Sequence, residues 1–241
     1  MRAFLFILMI LQGSTFKESQ RQFTRVKTAY QEKEKIVKRY FEERNLIYEE
    51  YSLFIRAFKI EEELEVWVKE KGSEQFTLLH TYAFCTNSGT LGPKRKEGDL
   101  QIPEGVYCIN HFNPQSNFYL SLGLNYPNAS DKILSDTQRP GGSIYIHGSC
   151  VTIGCIPITD DKIKELYILA VEARNNGEQK IPVHIFPTRL TDNKLAKLRD
   201  KYASSPDIVA FWQNLKTVFD DFEKTRKIKS VKVNNTGKYI F

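Results

Sequence analysis

Apolar positions along the chain change period twice. Phe23, Val26, Tyr30, Val37 and Phe41 recur at helical spacing among Lys, Arg and Glu, which predicts an amphipathic helix over residues 17–45. The period then falls to two, with Leu64, Val66 and Val68 alternating with Glu65, Trp67 and Lys69. Lys71-Gly72-Ser73 punctuates that strand, and a β-rich run follows over 76–84. Further strands are predicted at 52–60, 106–111, 118–122, 143–147 and 181–186, joined by connections containing Gly, Pro, Asn or Asp. Helical spacing returns in Ile163, Leu166, Tyr167, Ala170 and Val171, with Asp160 and Asp161 at the favourable N-terminal end and Gly177 as a stop. A last helix reads from Ser205 as cap and Pro206 in the first turn through Ile208, Phe211, Trp212, Leu215, Val218, Phe219 and Phe222. The pattern predicts an α+β protein: a mainly antiparallel sheet with amphipathic helices before and after it.

The chain's start adds a location. Arg2 precedes an apolar run over 3–11 that is too short for a bilayer core of about 30 Å but fits the core of a signal peptide. Residues 1–14 are therefore expected to be an export signal or N-terminal anchor, with the protein in the periplasm or cell envelope and no other membrane contact. The excess of 35 Lys and Arg over 29 Asp and Glu, a net +6, is modest. Acidic residues interleave with the basic ones of the first helix, which argues for a solvated face and against a nucleic-acid partner. The tail residues Lys224, Arg226, Lys227, Lys229 and Lys232 read first as a solvated end.

The chemistry concentrates in Ser143-Ile144-Tyr145-Ile146-His147-Gly148-Ser149-Cys150-Val151-Thr152-Ile153-Gly154-Cys155, a strand running into a small-residue loop that ends in cysteine. Alternation puts Ser143, Tyr145 and His147 on one strand face and Ile144 and Ile146 on the other, so His147 emerges with a polar side. The loop is long enough to turn back and bring imidazole and thiol within hydrogen-bond reach. A thiol attacks as its thiolate, and a neighbouring imidazole takes its proton and later protonates a leaving amine. The Cys155 amide is a candidate oxyanion donor, worth about 3–4 kcal/mol, with Gly154 allowing close approach to a substrate carbonyl. Thr152 and Ser149 are candidates for fixing the loop or the ring, and Gly148 and Gly154 for backbone geometry.

Three other readings stand beside this one: a core histidine with an inert thiol; a zinc site of His147, Cys150 and Cys155 with Cys85 or Cys108, whose spacing fits no common finger; and Cys150 as nucleophile, although no glycine precedes it. With Cys155 free, at most one disulfide forms among Cys85, Cys108 and Cys150, and one thiol is left over.

The same stretch resembles the signature of the L,D-transpeptidase (YkuD) family, in which a His-Gly pair ends a strand and a Ser/Thr-x-Gly-Cys box follows: here His147-Gly148 and Thr152-Ile153-Gly154-Cys155. It is closest to the YafK-like branch, which the segments Cys85 to Lys94 and Gly98 to Tyr107 also resemble. The resemblance implies a catalytic domain over 49–190, preceded by a helical segment over 15–48 and followed by a helical extension with basic tail over 191–241. It implies Cys155 as nucleophile and His147 as base, acting on tetrapeptide stems of peptidoglycan with no metal or organic cofactor. The acceptor would be a second stem or an envelope protein, or water in a hydrolase of the same fold, and a non-catalytic peptidoglycan-binding module is the rival from another class. Tyr145 and Lys94 are the substrate-facing candidates. Ile153 and Pro157 stand where many members carry His and Arg or Asn, so contacts made by those side chains do not transfer.

Overall fold

Residues 14–241 are described by a computed structural model; the expected export signal lies outside them apart from Ser14. Thr15 caps a short helix, α1 (Phe16–Arg21), in a reciprocal capping box with Glu18. The helix α2 (Thr24–Glu42) follows and buries Val26, Ala29, Tyr30, Val37 and Phe41. The single helix expected over 17–45 is thus two, because Phe23 takes extended backbone and tucks its ring against the core. The remaining elements are β1 (Tyr51–Phe58), β2 (Glu63–Glu70), β3 (Thr77–Ala83), β4 (Gly105–Asn113), β5 (Ser121–Leu124), α3 (Ala129–Leu134), β6 (Tyr145–His147), β7 (Ile156–Pro157), α4 (Thr159–Asn175), β8 (Ile181–Phe186), α5 (Asp192–Lys201), α6 (Pro206–Thr225), β9 (Lys232–Val233) and β10 (Tyr239–Ile240).

Eight strands form one sheet in the order β3-β2-β1-β8-β4-β5-β6-β7, parallel only at β1/β8 and β6/β7. Both faces are covered, which is why β1 is buried almost throughout. Its Leu53, Ile55 and Ala57 join the core under α2 and α4, while Phe58 packs with Trp212, Leu215 and Phe219 of α6 on the other side. The sheet curls until its two edges meet: the Cys85 N–H beyond β3 donates to Pro157 O of β7 (2.8 Å), and a Cys85–Cys150 disulfide joins the same edges.

Two predicted strands shift. Tyr119 takes a left-handed backbone (φ 71°), so the 118–122 strand starts only at Ser121 and leaves Phe118 on a loop; Ser143 (φ 55°) likewise delays the 143–147 strand to Tyr145. Ser205 occupies the N-cap of α6 without a side-chain capping bond, so Pro206 and the packed face carry that helix start. Among the described residues, no helix is long and apolar enough to cross a membrane.

Candidate active site

Strand pairing brings the two candidate residues together. β6 and β7 run parallel with Ile146 opposite Ile156 and His147 opposite Pro157, which sets Cys155 beside Tyr145. Paired residues share a face, so Ile146 and Ile156 point into the core while Tyr145, His147 and Cys155 point the other way. A strand spacing of about 4.8 Å and two residues of offset separate the backbones of Cys155 and His147 by about 8 Å, within reach of two side chains that point the same way.

The thiol rests against its own strand edge. Cys155 Sγ lies 3.7 Å from Ser143 O, as donor, and accepts from the Tyr145 N–H. His147 sets Nδ1 2.5 Å from Gly148 O, so a neutral ring that donates there keeps its lone pair on Nε2. The expected polar, open aspect of His147 is corrected: it is 1% exposed, because the Phe118 ring stacks on it at 4.5 Å between centroids and 26° between planes. Burial pushes the Cys155 thiol up from its ordinary range, against the Tyr145 N–H and the nearby Lys94 charge. Burial also pulls the imidazole down, against its bond to Gly148 O. Both shifts favour the uncharged forms, so the resting pair is thiol and imidazole rather than thiolate and imidazolium.

The loop between them is fixed from several sides. Thr152 Oγ1 accepts from the Gly154 N–H (3.1 Å) and the Cys155 N–H (2.8 Å) and donates to Cys155 O (2.8 Å), which uses all its capacity. Thr152 is thereby the loop-fixing residue, and the Cys155 amide expected to face an oxyanion is instead committed to it. The Ser149 N–H donates to Asp160 Oδ1 (2.6 Å) at the start of α4, so Ser149 serves through its backbone. A Cβ on Gly148 would meet Asp160 Oδ1 at 2.5 Å and Phe118 O at 2.7 Å; one on Gly154, whose φ is 133°, would meet Gln101 O at 2.9 Å. The close approach that requires Gly154 is therefore to the chain's own 98–103 loop. The disulfide takes Cys150 and Cys85, which removes Cys150 as a rival nucleophile and leaves Cys108 as the other free thiol.

Lys94 is buried rather than solvated. Its ammonium pairs with Asp99 (2.5 Å) and donates to Lys96 O (2.9 Å), so its charge holds the 94–99 loop beside the site. Tyr145 lays its ring over Gly123, where an added Cβ would come within 3.0 Å of it, and so leans away from Cys155. Val151 and Ile153 of the loop before the half-buried Cys155 are exposed, as are Leu100 and Phe118. A cleft of about 440 Å³ lined by Pro93, Arg95, Phe211 and Lys238 lies elsewhere and contains neither Cys155 nor His147.

Sequence reasoning missed the roles of the Gly148 carbonyl, Phe118 and Asp160, since an alternation pattern says nothing about what a loop lays across a strand end. It also missed Lys59, which is 1% exposed and pairs with the fully buried Glu104 (3.0 Å). Its signal was a lysine set between Phe58 and Ile60.

The model of the L,D-transpeptidase catalytic domain, YkuD, matches residues 60–185. YafK of Escherichia coli (strain K12), provisionally named an L,D-transpeptidase, is 38% identical over 190 residues, covering 78% of this chain and 73% of YafK. Among solved structures, the helical cell shape determining protein Pgp2 of Campylobacter jejuni aligns at 20% identity and a TM-score of 0.45, over 78% of this chain and 75% of its own. Bd1075 of Bdellovibrio bacteriovorus aligns at 23% identity and a TM-score of 0.41, over 73% and 62%. The chain belongs to the YkuD family of L,D-transpeptidase catalytic domains.

Proposed function

We propose that this protein is a cysteine acyltransferase of the cell envelope that acts on peptidoglycan tetrapeptide stems. The single observation that carries this reading is the β6/β7 pairing, which aims Cys155 and His147 the same way. In the first half-reaction the Cys155 thiol turns from Ser143 O and passes its proton to His147 Nε2 as sulfur attacks the carbonyl at the L-centre of diaminopimelate. The tetrahedral intermediate collapses, D-Ala leaves with the proton that His147 returns to its amine, and the stem remains as a thioester on Cys155. In the second, His147 deprotonates an incoming amine of another stem or an envelope protein, the new amide forms, and the proton returns to sulfur.

Because both groups rest uncharged, proton transfer accompanies attack, as general-base catalysis. Gly148 O orients the ring, as the third member of a nucleophile, base and orienting-acceptor set. A half-buried thiol among exposed apolar residues, outside any enclosed cavity, suits a peptide carried on a bulky polymer better than a small metabolite held in a pocket.

Incubation of the purified protein with tetrapeptide muropeptides, followed by product chromatography, tests the proposal. Crosslinked dimers with free D-Ala are expected. Shortened stems or a released amine would make water the acceptor, and binding without product would overturn the enzymatic reading.

A further inference from the structure

A contact between α2, which lies before the family-matched residues, and the β4/β5 loop, which lies within them, bears on the imidazole. Arg25 of α2 donates from Nη1 to Ser116 O (2.5 Å) and Tyr119 O (2.7 Å), bracketing Phe118, while its guanidinium lies 5.5 Å from the centroid of the Tyr119 ring. Phe118 N–H is held by Ser116 Oγ (3.1 Å), and the neighbouring Leu120 O accepts from Gly148 N (3.2 Å). The loop that carries Phe118 is thus tied to the N-terminal helix on one side and to the catalytic strand end on the other.

We infer that Phe118 is a positioning residue for His147, and that Arg25 holds Phe118 in place, so that the N-terminal helix governs the imidazole. The inference rests on His147 being the base. Phe118 itself is 40% exposed, yet the ring beneath it is 1% exposed, so this one side chain is a principal screen between the imidazole and water. Stacking also fixes the plane of the ring, which keeps Nδ1 on Gly148 O and Nε2 for the thiol.

Removing the screen rehydrates the ring and relieves the burial that holds its pKa down. The charged groups around this corner are few: Asp160, committed to Ser149 N–H; Arg25, on the loop carbonyls; Lys164, over Tyr119 at 5.3 Å and paired with Glu32; and Lys94, near Cys155 and paired with Asp99. Cys155 is the other titratable group nearby. None of these bonds runs through the Phe118 side chain, so its truncation leaves them in place.

The test is an NMR titration of the His147 Cε1–H, assigned with His147→Asn among the protein's four histidines, together with kcat/KM on tetrapeptide donors at pH 6 and pH 8. In Phe118→Ala the His147 midpoint is expected to move up toward the ordinary 6.5, with kcat/KM falling about tenfold at pH 6 and less at pH 8. Phe118→Trp, which keeps a stacked ring, stays within about twofold of wild type. Arg25→Ala moves the same midpoint in the same direction by a smaller amount, and it decides the matter if Phe118→Ala does not fold. An unchanged His147 titration in the alanine variants would overturn the inference even if activity fell, because Phe118 would then be touching substrate instead. Full turnover by His147→Asn would instead remove the base on which the inference stands.

Discussion

Two regions of this molecule bury polar groups in opposite ways. Under α6, charge is taken inside and fully paired: Arg56, 3% exposed, bonds Glu65 (2.7 Å) and Glu223 (2.6 Å) and lies 4.8–5.6 Å from the ring centroids of Phe58, Trp67, Phe219 and Phe222. Lys59 does the same a few residues on, within 3.1 Å of Glu104 and the carbonyls of Thr90, Gly92 and Ile102. At the candidate site, Cys155 and His147 bond only to backbone, Phe118 stacks on the imidazole, and burial favours the neutral form of each. A carboxylate on the imidazole would raise its pKa, whereas a backbone acceptor orients the ring without that pull toward the charged form. Ion pairs lock the scaffold, and neutrality leaves the candidate pair able to exchange a proton.

The comparison breaks first at His147. His147→Ala is expected to lower kcat/KM by about 10²- to 10⁴-fold while circular dichroism stays native. In the proposed mechanism the rate needs a neutral ring, so the wild-type rate is expected to rise with pH through a midpoint below the ordinary 6.5 and to be lost only below that midpoint. Arg56→Ala is expected to do the reverse, costing about 3 kcal/mol in denaturant titration because buried Glu65 Oε2 and Glu223 lose their shared cation while Arg189 holds only Glu65 Oε1, with turnover per folded molecule unchanged.

The disulfide belongs to both regions, since it closes the sheet and carries the catalytic loop. Cys85→Ala with Cys150→Ala should cost about 3–4 kcal/mol from the loss of a crosslink spanning 65 residues, and should also lower kcat/KM. Full activity in that double variant would show that the loop is held by Thr152 and Asp160 alone.

The smallest effect sharpens the rule that a buried charge needs a partner. Glu178 accepts the Leu53 N–H, and burial pushes its carboxyl up to about 7. A raised folded-state value means stability that is present below the ordinary 4.5 and lost as pH rises through about 7. Glu178→Gln is therefore expected to be neutral at pH 4 and stabilising by roughly 1 kcal/mol at pH 8.5, read from thermal melts.

The strands and long helices were legible because burial imposes a period, and the His-Gly and Gly-Cys pairs marked the candidate site. Period carries no information about loops. Phe118 read as the start of a strand because its neighbours are apolar, but a left-handed Tyr119 turns it across the imidazole. Thr152 was legible as a loop residue, while its grip on the Cys155 amide depends on a turn whose geometry no spacing reveals. The parallel β6/β7 contact, which aligns thiol and ring, needs β7, whose two residues are too few for alternation to signal. Lys59 and Arg56 sit inside apolar strands, and only the partners Glu104, Glu65 and Glu223, distant in sequence, explain how their charge is tolerated.

Intact-protein mass spectrometry after mixing with tetrapeptide muropeptides tests the acylation step most directly. The account predicts an adduct of the stem less D-Ala, mapped by peptide digestion to Cys155 and lost in Cys155→Ala. An adduct on another residue, or D-Ala released at the wild-type rate by Cys155→Ala, would contradict it.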